Sequence, residues 1–95
     1  MTLGNSFKRQ ALLAILSHIK YGDLKLTLPD GTTHKFTGNH KGPTADMILR
    51  SDSAIIRILS NGKMGFCEAF MLGEIDSHDL TNLIELAVLH DSYLE

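Results

Sequence analysis

Five histidines, one cysteine and eleven acids are the groups through which this 95-residue chain would do chemistry. The histidines are His18, His34, His40, His78 and His90. No two stand at i, i+4, the spacing that turns two imidazoles toward one metal from a helix face. None joins Cys67 in a ligand spacing. Scattered surface or partly buried histidines are the plain reading, and no metal is expected. Cys67 has apolar neighbours and only Lys63 as a nearby base in sequence, so it reads as an inert core thiol. No G-x-G-x-x-G follows a strand pattern, and there is no phosphate loop. No acid/base pair or activated nucleophile stands out, so an enzyme acting alone is the least supported reading. No cofactor is expected.

One acid is unusual. The stretch from Gly62 to Asp76 holds three of the eight glycines, two of the four phenylalanines, two of the four methionines and the only cysteine. Inside it, Phe66 to Leu72 is apolar except for Glu68. A carboxylate in an apolar run is costly to bury unless it is paired or protonated. Glu68 therefore either sets structure through a partner, points out to water, or orients a ligand head group. The methionines fit an adaptable apolar site and an ordinary core equally well.

The elements that must position these residues follow from periodicity. Leu12, Ile15, Leu16 and Ile19 fall at i, i+3, i+4, i+7 and predict a first helix. Asn5 or Ser6 can cap it, and Tyr21-Gly22 can end it. That helix packs on a sheet, or lies on or lids a lipid surface. Leu24, Leu26 and Leu28 alternate with polar residues as a half-buried strand. Pro29-Asp30-Gly31 is a turn, and Thr32 to Thr37 returns as the second arm of a hairpin. Gly38 to Thr44 reads as a loop, and Ala45 to Arg50 as a third strand. Ser51 or Asp52 caps a second helix running to Ser60. Its buried stripe is Ile55, Ile58 and Leu59, and Asn61-Gly62 stops it. Phe66 and Phe70, at i, i+4, suit a short helix that Gly73 ends. Glu74 to Asp76 reads as extended. Ser77 or Asp76 caps a last helix through Leu80, Leu83, Ile84 and Ala87, with His90-Asp91-Ser92 starting a frayed end. Antiparallel strands with segregated helices give an α+β class: a small antiparallel sheet of about three to four strands against helices.

Length and composition bound the rest. Ninety-five residues predict a single domain over 1–95. The longest apolar run, Ala11 to Leu16, is far short of a membrane span and reads as part of an amphipathic helix, not an export signal. A net charge of −2 argues against general nucleic-acid binding. A single cysteine fits a reducing, cytoplasmic setting.

Residues Leu59 to Asp76 resemble the N-terminal region of cyclopropane-fatty-acyl-phospholipid synthases. That family shows a pattern like L-x-x-G-x-x-G-x-x-E-[AS]-[FY]-M-x-G-x-[FWI]-[DE], followed by a D-L pair, here Asp79-Leu80. Leu24 to Gly31 looks like its L-x-L-x-x-P-D-G segment, and Gly42-Pro43 before Ala45 like its G-P-x-A segment. The order of elements is also similar to sterol carrier protein type 2 domains, which hold lipid between a sheet and helices. The resemblance implies a non-catalytic module that binds phospholipid or fatty-acyl chains. Such a module presents lipid to an S-adenosylmethionine-dependent methyltransferase domain. The acidic-Gly-x-Gly pattern of that domain is absent, so the resemblance assigns no methyl transfer to these residues. Ile75 stands where the synthases commonly carry an aromatic.

The expected lipid-contacting residues are Met47, Phe66, Phe70 and Met71. Glu68, Gly65, Gly73 and Asp76 are the expected structural or interface residues. Expected partners are a phospholipid or fatty-acyl chain, with a methyltransferase domain or a second copy as further candidates and peripheral contact with a membrane. The competing reading is a protein-interaction or dimerisation domain without lipid binding.

Overall fold

A computed structural model describes residues 3–90, with side chains from residue 7 onward. The sheet starts as a hairpin of β1 (Tyr21–Thr27) and β2 (Thr33–Thr37). Its register pairs Leu24 with Phe36 and Leu26 with His34. Alternation does what the period of two requires: Leu24 and Leu26 are buried, and Lys25 between them is exposed. Asp30 holds the turn by accepting the Thr32 amide at 3.0 Å and the Thr32 hydroxyl at 2.7 Å.

β3 (His40–Leu49) corrects the expected antiparallel sheet. It lies on the other side of β1 and runs parallel to it, so the sheet is mixed, in the order β2-β1-β3-β4. The chain leaves β2 and passes directly across the start of β1. The Gly38 amide donates to the Gly22 carbonyl and the His40 amide to the Lys20 carbonyl. This crossing needs bare backbone: a Cβ on Gly22 would lie 2.2 Å from the Pro43 carbonyl oxygen. Gly22 therefore serves a strand crossing and not the end of a helix. The expected loop from Gly38 to Thr44 shrinks to Gly38-Asn39, because residues 40–44 are already in β3.

α1 (Leu3–Leu16) begins before Asn5 and Ser6, which are thus not its caps, and ends well before Tyr21. α2 (Asp52–Met71) follows Ser51 as N-cap and contains a kink at Gly62, with φ 56° and ψ −126°. The expected stop at Asn61-Gly62 is this kink. Beyond it the helix folds back: a Cβ on Gly65 would lie 1.8 Å from the Arg57 carbonyl oxygen. In a straight helix those two residues are about 12 Å apart along the axis. After Leu72 and Gly73 the chain enters β4 (Ile75–Asp76), antiparallel to β3. α3 (Leu80–Leu89) is capped by Asp79, whose carboxylate accepts the Asn82 amide at 3.1 Å. Ser77 and Asp76, the expected caps, are engaged elsewhere, and Asp91 and Ser92 lie outside the described residues.

One core joins all layers. Leu24, Leu26, Ala45, Met47 and Leu49 face Leu12 of α1, Ala54 and Ile55 of α2, and Leu83 and Leu86 of α3. All three helices thus cover one face of the sheet, an α+β architecture. Among the described residues, no helix is long and apolar enough to cross a membrane.

Candidate functional site

The three helices do not close completely over the sheet. Between them lies a cavity of about 430 Å³. α1 supplies Leu12, Ile15 and Leu16, α2 supplies Ile58, Gly62 and Phe66, and α3 supplies Leu83, Leu86 and Ala87. Leu24 and Met47 form its floor. Native interiors seldom leave voids of this size, and an apolar void forfeits contacts along its whole wall. Small-molecule sites fall in the range of roughly 300–1,000 Å³ and are mostly apolar. Among the described residues the lining includes no acid, lysine or arginine; its ionisable side chains there are His18 and His90. Ile15 and His18 are exposed as well as lining, so the cavity reaches solvent beside them.

His90 lines the cavity and is held on both ring nitrogens. Its Nε2 accepts the backbone amides of Lys20 at 2.9 Å and Tyr21 at 3.2 Å, while Nδ1 donates to the Leu86 carbonyl at 2.9 Å. Amides only donate and carbonyls only accept, so this geometry selects the neutral imidazole with its proton on Nδ1. The ring also meets Tyr21 edge-on at 5.6 Å. This contact ties the end of α3 to the entry of β1. Nothing in the sequence spacing of residues 20 and 90 announces it.

The expected lipid-contacting residues divide. Met47 is buried in the floor and Phe66 is a half-buried wall residue. Phe70 and Met71 do not line the cavity; Met71 is 78% exposed. The cause is the kink. Past Gly62, Gly65, Phe66 and Ala69 turn inward, and one further step along the helix carries residues 70 and 71 outward. The same rotation exposes Glu68 and Cys67. The Glu68 carboxylate has no hydrogen bond or ion pair among the described residues, so it is not a buried, paired acid. Cys67 is an exposed thiol and not a core one. Gly65 is the contact point of the α2 corner. Gly73 ends the helix, its amide donating to the Phe70 carbonyl while that of Glu74 donates to Ala69.

Asp76 accepts from Arg50 and from the Ser77 amide. The Arg50 hydrogen bond and the Ser77 amide hold its carboxyl below the usual carboxylate range, against a smaller opposing effect of burial. Two other acids carry comparable networks that the sequence did not flag. Glu74 accepts from Ser53 at 2.6 Å and from Arg57 at 2.9 Å. The Ser53 hydrogen bond, with burial opposing it and Arg57 adding to it, lowers the Glu74 pKa. Asp46 accepts the Ser77 hydroxyl, the His78 amide and His78 Nδ1, the last at 2.6 Å. Burial raises its pKa, but these three hydrogen bonds outweigh burial and the net shift is downward. Ser77 donates to the acid and not to the imidazole, so Ser77, His78 and Asp46 are not a nucleophilic triad. They staple the approach to α3 onto β3. Among the described residues no group of histidine, cysteine and acid side chains is placed to hold a metal.

A family model described as "Domain of unknown function (DUF7884)" matches residues 11–95. No curated protein and no solved structure matches the chain.

Proposed function

The chain belongs to the DUF7884 family, and we propose that it is a non-catalytic module that binds fatty-acyl chains, of free fatty acid or phospholipid, in the cavity beneath its three helices. The observation that carries this reading is the cavity's lining: apolar walls from every helix over an apolar floor, with two histidines as the only ionisable side chains among the described residues. Each buried CH₂ would contribute on the order of 0.8 kcal/mol. The resemblance to cyclopropane-fatty-acyl-phospholipid synthases supports the same class of ligand. It extends the proposal to presenting lipid to an S-adenosylmethionine-dependent methyltransferase domain, in the cytoplasm and in peripheral contact with a membrane. Displacement of a fluorescent fatty acid and sedimentation with phospholipid vesicles test the proposal. Saturable displacement that Ala87→Phe abolishes by filling the cavity is the expected result. Failure to bind either lipid form rejects it.

A second reading, a docking or dimerisation domain, draws on α3. Its outer stripe of Leu80, Ile84 and Val88, at i, i+4, i+8, is exposed, and Val88 is 67% accessible. An apolar stripe on the outer side of a helix, beside the one packed on the core, is ordinarily covered. Light scattering on the parent and on Ile84→Glu separates the readings. A parent that is monomeric at high concentration removes the self-association form of this alternative.

A further inference from the structure

Resting on the acyl-binding reading, we infer that the cavity takes a single-chain carboxylic acid, with the head group at His18 and the chain among the apolar lining residues. Among the described residues that line the cavity, His18 and His90 carry the only polar side chains; the others are apolar or glycine. The two imidazoles differ in what they have left to offer. His90 spends both nitrogens, on the Leu86 carbonyl and on the Lys20 and Tyr21 amides. His18 spends Nδ1 on the Ala14 carbonyl at 2.8 Å. Its Nε2 has no hydrogen-bond partner among the described residues, and the side chain stands at the exposed mouth. As imidazolium, Nε2 donates to a carboxylate; as imidazole, it accepts from a protonated acid. A methyl ester lacks the charge for the first and the proton for the second. A volume of about 430 Å³ lies near the lower end of the range of small-molecule sites, roughly 300–1,000 Å³, which suits one chain better than two.

Competitive displacement by saturated acids of increasing length, by their methyl esters and by a diacyl phospholipid tests this on the parent, His18→Leu and Ala87→Phe. Affinity is expected to rise with chain length and level off once the cavity is filled. The acid should exceed its ester by about tenfold, the scale of one charge-assisted hydrogen bond. His18→Leu should abolish that preference while still binding both, and Ala87→Phe should abolish both. Equal affinity for acid and ester, or a preference that survives His18→Leu, overturns the head-group assignment while leaving acyl binding intact. Absence of binding by every chain overturns both.

Discussion

Asp46 shows how one carboxylate can organise a junction without catalysing anything. It sits half-buried on β3 and gathers the Ser77 hydroxyl, the His78 amide and the His78 ring. The His78 side chain is 85% exposed, so solvent screens what the ring contributes to stability. The downward pKa shift has a definite sign in stability. The folded pKa lies below the unfolded value of about 3.9. The stabilisation is therefore complete above that value and is lost as pH falls through the folded pKa. Asp46→Asn is expected to cost on the order of 1 kcal/mol at neutral pH, after allowance for solvent screening. The difference from the parent should shrink as the pH is lowered below about 4. Urea unfolding between pH 3 and 7 measures it, and a difference independent of pH would contradict the assignment. Glu68 teaches the converse. An acid inside an apolar run looked costly, but it is exposed after the kink and needs no partner.

Among the elements, the kinked α2 governs the site. Its first half buries Ala54 and Ile55 against the sheet, and its second half brings Phe66 to the cavity wall. The fold-back depends on Gly65, whose position admits no Cβ. Gly65→Ala is expected to cost about 1–3 kcal/mol through overpacking against backbone that cannot step aside. Gly73→Ala is the internal comparison. Its φ is +76° but the space around it is open, so only the backbone strain of about 1 kcal/mol applies. Thermal and urea unfolding of both variants should rank Gly65→Ala as the more damaging, and it alone should weaken acyl binding. The reverse order would mean that the two halves of α2 do not meet as described. α1 is attached more lightly. Arg9 reaches Asp30 in the hairpin turn at 3.0 Å and Asp52 at the start of α2 at 3.2 Å. Leu12 alone of its described residues is fully buried.

For the whole molecule, the cavity couples ligand to stability. A ligand that binds only the folded state stabilises by about 2.7 kcal/mol when present at a hundred times its Kd. For a domain of this size, 1 kcal/mol moves the Tm by roughly 4–8 °C. A saturating single-chain fatty acid should therefore raise the Tm by about 10 °C or more, read by differential scanning fluorimetry. Ala87→Phe should show no such rise. A Tm unchanged by any acyl chain would mean that the cavity is not a ligand site.

Much of this was legible in the sequence because it is decided locally. The Leu24-Leu26-Leu28 alternation, the Pro29-Asp30-Gly31 turn and the Ile55-Ile58-Leu59 stripe depend only on residue spacing. So do the break at Gly62 and the stop at Gly73. They established the α+β class, the order of elements and Met47 and Phe66 as inward-facing. Three matters were left to the tertiary structure. The placement of β3 beside β1 depends on bare backbone at the Gly22 crossing, a contact between residues far apart in the chain. The outward turn of Cys67, Glu68, Phe70 and Met71 depends on the angle at Gly62, which periodicity does not encode. The cavity itself exists because three amphipathic stripes fail to meet over one sheet. Each stripe taken alone specifies only that its residues are buried, and not whether the space they enclose is filled.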